Sequence, residues 1–295
     1  MNAPPDIRRI GVVGAGQMGA GIAEVCARAG LDVVIREVTD EAAAAGRRRI
    51  TSSLDRALRK DKLTESERDA TLAGLLVTTD LDALADRDLV IEAIAEDEGL
   101  KTEVFAALDK TVRREDAILA SNTSSIPIMK LGMATSRARQ IIGIHFFNPV
   151  PVLDLVEIVP SLLTSKLTIE RARGFVQTTL HKQSVLAQDR AGFVVNALLV
   201  PYLLSAIRMA EAGTATAKDI DSGMVLGCAH PMGPLQLADL IGLDTVAAIA
   251  ASMYEEYKEP LYAAPPLLLR MVEAGLLGRK SGHGFYPYDN EGDRQ

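Results

Sequence analysis

A histidine and a glutamate with apolar neighbours offer acid–base chemistry. His145 directly follows the apolar run 141–144, and Glu157 lies inside the apolar run 155–159. Histidine titrates near neutral pH and can exchange a proton with an alcohol. If the two runs are neighbouring strands, the buried carboxylate would hold the imidazole in one tautomer and stabilise its protonated form. The same spacing also fits a packed histidine and a glutamate on an edge strand that faces water.

A glycine-rich segment offers phosphate binding. Gly14, Gly16 and Gly19 form a G-x-G-x-x-G pattern, with Gln17 and Met18 between the last two glycines. Between a strand and a helix, the first glycine permits a tight turn, the second lets a pyrophosphate approach the backbone, and the third allows close packing. The amides at the start of the helix then face the phosphates. All five residues are therefore candidates for dinucleotide binding.

An acidic residue sets the expected form of the dinucleotide. Glu37 follows Gly14 by 23 positions and closes the next strand. A carboxylate there can accept hydrogen bonds from the ribose hydroxyls and repel a 2′-phosphate, which favours NAD over NADP. Arg36 could accommodate the extra phosphate, although the alternation of side chains along a strand should direct it away. A glycine turn beside a surface glutamate is the alternative interpretation.

The order of the elements predicts an α/β fold. Apolar, β-branched runs alternate with helical stretches in the first half of the chain, which is typical of a parallel sheet covered on both faces. His145 would then lie past the carboxyl end of a strand, where open parallel sheets place their chemistry. A helix is predicted over residues 17–29, and strands are predicted over residues 10–13, 32–35, 89–93, 117–120, 141–144, 155–158 and 184–187.

The alternation of strands and helices stops near residues 188–192, and the rest of the chain has a helical pattern. We therefore expect a Rossmann-type, doubly wound NAD-binding domain over residues 1–189 and an all-α domain over residues 190–295. The longest apolar stretch, residues 193–207, is interrupted by polar residues and is shorter than the roughly 20 residues that span a bilayer. It is interpreted as a buried helix.

Composition argues against several classes of protein. Of the 295 residues, 48% are hydrophobic and 24% are charged, so the chain can form a sizeable core and is not mainly disordered. The formal net charge of −7 disfavours a nucleic-acid-binding protein. Cys26 and Cys228 alone make neither a disulfide framework nor a metal site. The N-terminus lacks an export signal, so a cytoplasmic protein without membrane attachment is expected.

One segment departs from the acidic average. Residues 47–62 contain seven arginines and lysines against two aspartates. On a helix, four residues of this segment would share one face, opposite an apolar face. A basic face on an acidic protein suggests a phosphate-rich ligand. A solvated helix or a nucleic-acid patch is the alternative, although the segment has no aromatic residue for base stacking. The four residues are Arg49, Ser53, Arg56 and Lys60.

Five segments, taken together, resemble the L-3-hydroxyacyl-CoA dehydrogenase family, and above all its bacterial members that act on 3-hydroxybutyryl-CoA. They follow the family's order over nearly the whole chain, which makes the resemblance more specific than any single motif. The segments are GAGQMG at 14–19, SNTSS at 121–125, GIHFFNPV at 143–150, GFVVN at 192–196 and GRKSGHGFY at 278–286.

The resemblance implies roles for the reacting groups. It makes His145 the catalytic base and Glu157 its partner. Ser124 would contact the substrate oxygen, and Asn196 would contact the substrate near the domain junction. By residue type alone, a helix cap and a partner for a backbone group are the ordinary interpretations of such a serine and asparagine.

The resemblance also implies contacts with the cofactor. Glu96 and Lys101 match positions that touch the cofactor, and Asn148 would lie beside the nicotinamide. Asn122 is assigned to the same site, although by residue type it could cap a helix. Lys101, taken singly, would be a solvated helix residue.

The same resemblance implies a specific ligand for the basic segment. Ser53 and Lys60 match positions that hold the nucleotide of coenzyme A, and Arg56 would share their face. The expected enzyme interconverts a short-chain (3S)-3-hydroxyacyl-CoA and its 3-oxoacyl-CoA with NAD, without a metal, as a homodimer through the helical domain. The alternatives are a dehydrogenase of a free hydroxy acid or sugar acid, and a non-catalytic NAD-binding protein.

Overall fold

The computed structural model describes residues 7–289, and the chain divides into two units after Asp189. Within the described residues, the first unit contains eight strands. They are β1 (Arg9–Val13), β2 (Asp32–Arg36), β3 (Leu75–Thr78), β4 (Leu89–Glu92), β5 (Ile118–Ser121), β6 (Ile141–Phe146), β7 (Leu155–Pro160) and β8 (Gln183–Leu186). They form one sheet in the order β3-β2-β1-β4-β5-β6-β7-β8.

Helices connect most of these strands, and four of the helices begin where the side chain of the preceding residue accepts a hydrogen bond from a free amide. Thr39 accepts a hydrogen bond from the amide of Ala42, and Asp97 accepts one from the amide of Leu100. The helices of the first unit are α1 (Gln17–Arg28), α2 (Asp40–Arg59), α3 (Glu65–Ala73), α4 (Glu98–Thr111), α5 (Ile128–Met133) and α6 (Lys166–Gly174), the last continued by a π-helical turn at Phe175–Thr179.

The sheet has one antiparallel pair. All neighbouring strands are parallel except β6 and β7. The parallel sheet predicted from the sequence is wrong at this position. The reason is the short connection over residues 147–154, because a parallel pair needs a crossover of about a dozen residues or more whereas an antiparallel pair can be joined by a reversal.

The two faces of the sheet differ in chemistry. On one face, alternate strand residues pack with α1 into the apolar core of the unit. On the other face, Glu92 lies opposite Ser121, and Ser121 lies opposite Gly143. His145, two residues further along β6, lies opposite Glu157. Because side chains alternate along a strand, these polar side chains share one face, and all of them are buried.

The second unit is helical and has its own apolar core. Its helices are α7 (Val195–Glu211), α8 (Ala217–Cys228), α9 (Pro234–Ile241), α10 (Leu243–Tyr257) and α11 (Pro266–Glu273). The predicted fold class, a doubly wound α/β unit followed by an all-α unit, is confirmed.

Two buried aspartates attach the C-terminal segment to the helices of this second unit. Asp239 accepts hydrogen bonds from the amides of Phe285 and Tyr286 and from the hydroxyl of Tyr288. Asp221 accepts a hydrogen bond from the hydroxyl of Tyr286. Burial raises the pKa of Asp239, and the three donors only partly oppose that rise.

Two elements differ from the sequence prediction. Strand β3 was not predicted, because its four residues lie at the edge of the sheet and lack a clear alternation of buried and exposed side chains. The stretch predicted as a buried helix forms α7, but one face of this helix is open, and Leu198 is 74% exposed. Hydrophobicity alone does not tell whether a helix face is covered by the same chain.

Within residues 7–289, no single helix is long and apolar enough to cross a membrane. Helices α9 and α10 reach the length and apolar composition of a membrane-spanning segment only when they are taken together, and they are bent by 95° relative to each other. The same residues contain no group of three or more His, Cys, Asp or Glu side chains that could hold a metal ion.

Candidate active site

The glycine turn lies between β1 and α1. Gly14 has a φ of +93°, and a Cβ atom there would lie 2.7 Å from the carbonyl oxygen of Ala93. A Cβ atom at Gly19 would lie 1.9 Å from the carbonyl oxygen of Gly14, whereas one at Gly16 would have no neighbour within 4 Å. The backbone at Gly16 is therefore open to a ligand, and the three environments fit a turn that holds a dinucleotide.

Glu37 contacts this turn directly. Its Oε1 accepts a hydrogen bond from the amide of Ala15 at 2.6 Å, and its Oε2 accepts one from the amide of Val38 at 3.0 Å. Arg49 of α2 donates to the carbonyl oxygen of Ala15 at 3.1 Å. The carboxylate thus lies where the ribose of a dinucleotide would reach it. Arg36 is half-buried, and its Nε has no hydrogen-bond partner among the described residues.

The acid–base pair lies on β6 and β7. Nδ1 of His145 is 2.7 Å from Oε2 of Glu157, and Nε2 is 3.1 Å from the hydroxyl oxygen of Ser124. His145 is 4% exposed and Glu157 is fully buried, so this glutamate does not face water. Because a carboxylate only accepts hydrogen bonds, we assign the proton of the neutral imidazole to Nδ1. Nε2 is then an acceptor that can take a proton from an alcohol.

Ser124 lies in the loop that follows β5. Oε1 of Glu96 accepts hydrogen bonds from the hydroxyl of Thr123 at 2.5 Å and from the amide of Ser124 at 2.9 Å. Oδ1 of Asn122 accepts a hydrogen bond from the amide of Phe146 at 2.8 Å, which links this loop to β6. Helix α5 begins further along the chain without a side-chain cap from its preceding residue, so Ser124 and Asn122 do not cap it.

Glu96 and Lys101 lie side by side behind this loop. Burial alone raises the pKa of Glu96, but Lys101 and the hydrogen bonds from Thr123 and Ser124 outweigh it, and the pKa lies below its ordinary value. Lys101 is 1% exposed, and its Nζ is 2.5 Å from Oε1 of Glu92 and 3.2 Å from Oε2 of Glu96. Lys101 is therefore not a solvated surface lysine, and its ammonium faces carboxylates rather than an open cleft.

Asn148 lies in the segment after β6 and contacts the start of α1. Its Oδ1 accepts a hydrogen bond from Nε2 of Gln17 at 3.0 Å. The peptide bond between Asn148 and Pro149 is cis. The segment that follows the histidine strand is thus adjacent to the glycine turn.

A cavity of about 580 Å³ lies between α1, α2 and the segment after β6. Ser53 and Arg56 line it, together with Arg48 and Arg49. Lys60, the residue that follows α2, is exposed and does not line this cavity. Three of the lining residues are arginines, which would attract a ligand with several phosphate groups.

Glu24 also lines this cavity and places a carboxyl group among the arginines. It belongs to α1 and is 1% exposed. Burial raises the pKa of Glu24, while a hydrogen bond from Ser53 and the charges of Arg28 and Arg56 oppose that rise. The protonated form of this carboxyl is thus favoured relative to an exposed glutamate, which limits its repulsion of an anionic ligand.

Asn196 belongs to the second unit. It lies in the first turn of α7 and is 8% exposed. Its contact with substrate remains a prediction from the resemblance.

Comparison with known proteins places these features in a family. Residues 9–190 match the domain described as "3-hydroxyacyl-CoA dehydrogenase, NAD binding domain", and residues 192–288 match "3-hydroxyacyl-CoA dehydrogenase, C-terminal domain". The chain belongs to the 3-hydroxyacyl-CoA dehydrogenase family.

Individual members of the family are similar to this chain over nearly its whole length. A 3-hydroxybutyryl-CoA dehydrogenase of Mycobacterium tuberculosis is 61% identical over 282 residues, which cover 96% of this chain and 99% of that protein. The crystal structure of M. tuberculosis FadB2 has a TM-score of 0.96 at 60% identity and covers 97% of this chain and 100% of that one. The (S)-3-hydroxybutyryl-CoA dehydrogenase PaaH1 of Ralstonia eutropha has a TM-score of 0.91 at 45% identity, with coverages of 97% and 100%.

These findings confirm the family, the Rossmann-type fold, the NAD cofactor and the enzyme class, an NAD-dependent dehydrogenase. The glycine turn and Glu37 fit that cofactor, because the backbone at Gly16 is open and the carboxylate lies at the turn. The first unit of this dehydrogenase also contains the acid–base pair and the arginine-lined cavity.

Three buried side chains of the site were not identified from the sequence: Glu92, Ser121 and Thr123. Glu92 lies inside the apolar run 89–93, and an acidic residue in such a run is the signal that identified Glu157. That signal could have found Glu92. Ser121 and Thr123 are too common in type to be distinguished before their contacts with Glu92 and Glu96 are known.

Alanine substitutions at two glycines should separate cofactor binding from folding. Because Gly16→Ala adds a methyl group in open space, its free energy of unfolding should stay within about 1 kcal/mol of wild type. Its affinity for NADH should fall at least about tenfold, because the methyl group would block the pyrophosphate. Gly19→Ala places the methyl group against a carbonyl oxygen and should destabilise the protein by about 2 kcal/mol or more.

Chemical denaturation measures the two stabilities, and a fluorescence titration measures the affinity for NADH. A folded Gly16→Ala protein that binds NADH as tightly as wild type would contradict the assignment of the pyrophosphate to this turn.

Proposed function

We propose that this protein interconverts (3S)-3-hydroxyacyl-CoA and 3-oxoacyl-CoA, with 3-hydroxybutyryl-CoA and acetoacetyl-CoA as the preferred pair. The proposal rests on the hydrogen-bonded series Glu157–His145–Ser124, in which the segment that follows the histidine strand contacts the dinucleotide-binding turn. The substrate class comes from relatives whose names specify 3-hydroxybutyryl-CoA. A free hydroxy acid is disfavoured as a substrate because it would make no use of the arginines in the cavity.

The reaction requires the removal of a hydroxyl proton and of a hydride. In the direction of oxidation, Nε2 of His145 accepts the hydroxyl proton, and the hydroxyl of Ser124 donates a hydrogen bond to the same substrate oxygen. Glu157 accepts the hydrogen bond of Nδ1 and stabilises the imidazolium that forms. NAD, when bound, supplies the hydride acceptor. We assign Asn196 a second contact with the substrate.

The cofactor site extends from the glycine turn. Gly14 and Gly19 allow the tight turn and its close packing, Gly16 leaves the space for the pyrophosphate, and Glu37 would accept hydrogen bonds from the ribose. The carboxylate favours NAD over NADP, although Arg36 is adjacent in sequence. The further residues assigned to this site are Gln17, Met18, Glu96, Lys101, Asn122 and Asn148.

The nucleotide of coenzyme A is assigned to the basic wall of the cavity. Ser53 and Arg56 line this cavity and would contact the phosphates. Lys60 lies one helical turn beyond Arg56 and would reach the nucleotide from the rim. Since these groups are remote from the reacting carbon, they should govern substrate affinity more than the rate of the chemical step.

A homodimer through the helical unit is the proposed assembly. Leu198 and Met209 are three helical turns apart on α7, so they share a face, and they are 74% and 45% exposed. On α8, Leu226 is 85% exposed. Apolar residues exposed together are typical of a surface that another subunit covers.

A cytoplasmic location is proposed from the cysteines. Both Cys26 and Cys228 are free thiols in the structure, and free thiols suit a reducing compartment. Burial raises the pKa of Cys26 to about 12, so this thiol is not a nucleophile at neutral pH.

The proposed reaction is tested by following NADH absorbance with two substrates. Acetoacetyl-CoA should oxidise NADH, whereas acetoacetate should give a kcat/KM at least about a thousandfold lower, because it lacks the nucleotide whose binding energy supports the reaction. Equal activity with the free acid would favour the alternative substrate class, and a lack of CoA-dependent oxidation would overturn the proposal.

The same assay tests the acid–base pair. His145→Gln should lower kcat by about 100- to 10,000-fold, because the variant has no group that accepts the proton. The dissociation constant for NADH should stay within about twofold of wild type, because the change is confined to the proton-transfer group. A variant that retains most of its kcat would show that another residue is the base.

Charge reversal on α2 tests the nucleotide site. Arg56→Glu should raise the KM for acetoacetyl-CoA at least about tenfold, because it removes a contact with the nucleotide of coenzyme A that is remote from the reacting carbon. The KM for NADH should stay unchanged. Arg59→Glu is the matched control, because Arg59 is exposed on the same helix but does not line the cavity. With acetoacetyl-pantetheine, which lacks the nucleotide, both variants should match wild type. An equal effect of the two variants on KM would contradict the assigned site.

The dimer is tested by sedimentation equilibrium. Leu198→Glu combined with Leu226→Glu should weaken self-association at least about a hundredfold, because the new carboxylates would be buried in the interface. Leu162→Glu is the control, because Leu162 lies in the first unit and is 95% exposed. If the double variant associates as tightly as the control, the dimer uses a different surface.

A further inference from the structure

A carboxyl group is buried in the cavity that is proposed to hold the nucleotide of coenzyme A. Glu24 of α1 is 1% exposed, whereas the three arginines that line the same cavity are exposed. Burial of a carboxylate removes the water that solvates it and is therefore costly. An ionised acid at this position would also repel an anionic ligand. The mechanism proposed above gives Glu24 no role.

The ion pair that Glu24 makes is a loose one. Its Oε1 is 3.8 Å from Nη1 of Arg28, which exceeds the length of a hydrogen bond, and this oxygen has no hydrogen-bond partner among the described residues. Arg28 is partly exposed, so solvent screens its charge. The carboxyl is therefore not fixed in its charged form by a close partner.

Two residues assigned to coenzyme A face this carboxyl. Ser53 donates a hydrogen bond to it, and the guanidinium of Arg56 attracts it. Both residues belong to α2 and line the cavity. Phosphate oxygens that bind Ser53 and Arg56 would therefore compete with Glu24 for the same hydroxyl and the same guanidinium.

The other charged groups near the cavity belong to three elements around it. Lys182 donates hydrogen bonds to two carbonyl oxygens of the segment after β6, and its charge interacts with those of Asp154 and Arg28. Glu67 of α3 also interacts with the charge of Arg28. Among the groups named, cations outnumber acids, which suits a phosphate ligand. The two remaining arginines of the cavity wall are Arg48 and Arg49 of α2.

We propose that Glu24 is the proton-linked counter-ion of the coenzyme A cavity: it balances the charge of Arg56 while the cavity is empty and takes up a proton from solvent when the phosphates bind. The inference rests on the proposed function, since it assigns this cavity to the nucleotide. Bound phosphates replace the carboxylate as the partner of the arginine. The neutral carboxyl then no longer repels the ligand, and the cost of a buried charge is avoided.

The pH dependence of binding follows from the two states of this carboxyl. Burial raises the pKa of Glu24 in the empty protein, and Ser53, Arg28 and Arg56 only partly oppose that rise. Bound phosphates raise the pKa further, because they add negative charge and occupy the arginine. Binding takes up a proton between the two pKa values, so affinity is highest at low pH and falls as the pH rises through this interval.

Glu24→Gln tests the proposal, because it keeps the shape of the side chain and an acceptor for Ser53 but removes the charge. The probe is dephospho-CoA, which lacks the 3′-phosphate that itself titrates near about pH 6. Calorimetry measures its dissociation constant. At about pH 8 the variant should bind about tenfold more tightly than wild type, because it resembles the protonated form, and at about pH 5 the two should agree within about twofold.

Glu65→Gln is the matched control. It removes one negative charge from an exposed position of the first unit that does not line the cavity, so its affinity should follow that of wild type at both pH values. Equal tightening by Glu65→Gln and Glu24→Gln would show an effect of overall charge and would overturn the proposal. The same holds if Glu24→Gln keeps the pH dependence of wild type, or binds more weakly than wild type at the higher pH.

A measurement on the wild-type protein does not depend on the folding of a variant. Calorimetry at about pH 6 in two buffers with different heats of ionisation counts the protons taken up, and at least about 0.3 proton per site is expected with dephospho-CoA. No uptake, or a release of protons, would contradict the role of Glu24.

The outcomes for this inference and for the proposed function can be told apart. Wild-type protein that neither binds dephospho-CoA nor oxidises NADH with acetoacetyl-CoA would overturn the proposed function, and this inference with it. Wild-type protein that does both but takes up no proton on binding would overturn only the role of Glu24.

Discussion

The antiparallel pairing of β6 and β7 is the constraint on which the site depends. It places His145 directly opposite Glu157, with the ring nitrogen Nδ1 2.7 Å from the carboxylate. Strand β8 pairs with the outer side of β7, so Glu157 lies in the interior of the sheet rather than at its edge. A fully buried carboxylate needs a partner that donates to it, and the imidazole is that partner. The side chain that could transfer a proton is thus also one that stabilises a buried charge.

The polar groups of the site occupy one face of a sheet whose other face is apolar. Glu92 and Ser121 lie on the same face as the histidine and the glutamate, and Lys101 of α4 packs against Glu92. Each of these groups has a hydrogen-bond or ion-pair partner within this face. Since an unpaired polar group in such surroundings would cost about 1–3 kcal/mol, the network restricts the loop geometries that are stable.

The glycine turn and the arginine-lined cavity share parts of the same two helices. A Cβ atom at Gly46 of α2 would lie 2.2 Å from the Cβ of Ala15, so a glycine there allows α2 to pack against the turn. Arg49 both lines the cavity and donates to the carbonyl oxygen of Ala15. The cavity proposed for coenzyme A and the turn that fits NAD are therefore adjacent in one unit, joined through α2.

Local patterns were sufficient to predict the glycine turn, the existence of the strand at the histidine, and the basic helix with Ser53 and Arg56, because each depends on residues close together in sequence. The predicted end of that strand was wrong, since β6 continues to Phe146 and His145 lies within it, paired with Glu157 of β7. The resemblance to a family added Ser124 and Asn196, which residue type alone did not distinguish. Only the tertiary structure decided that Glu157 faces His145, that Lys101 is buried between Glu92 and Glu96, and that Leu198 is exposed. Periodicity shows which side of an element is polar or apolar. What lies opposite that side depends on residues far apart along the chain, and strand pairing and packing bring them together.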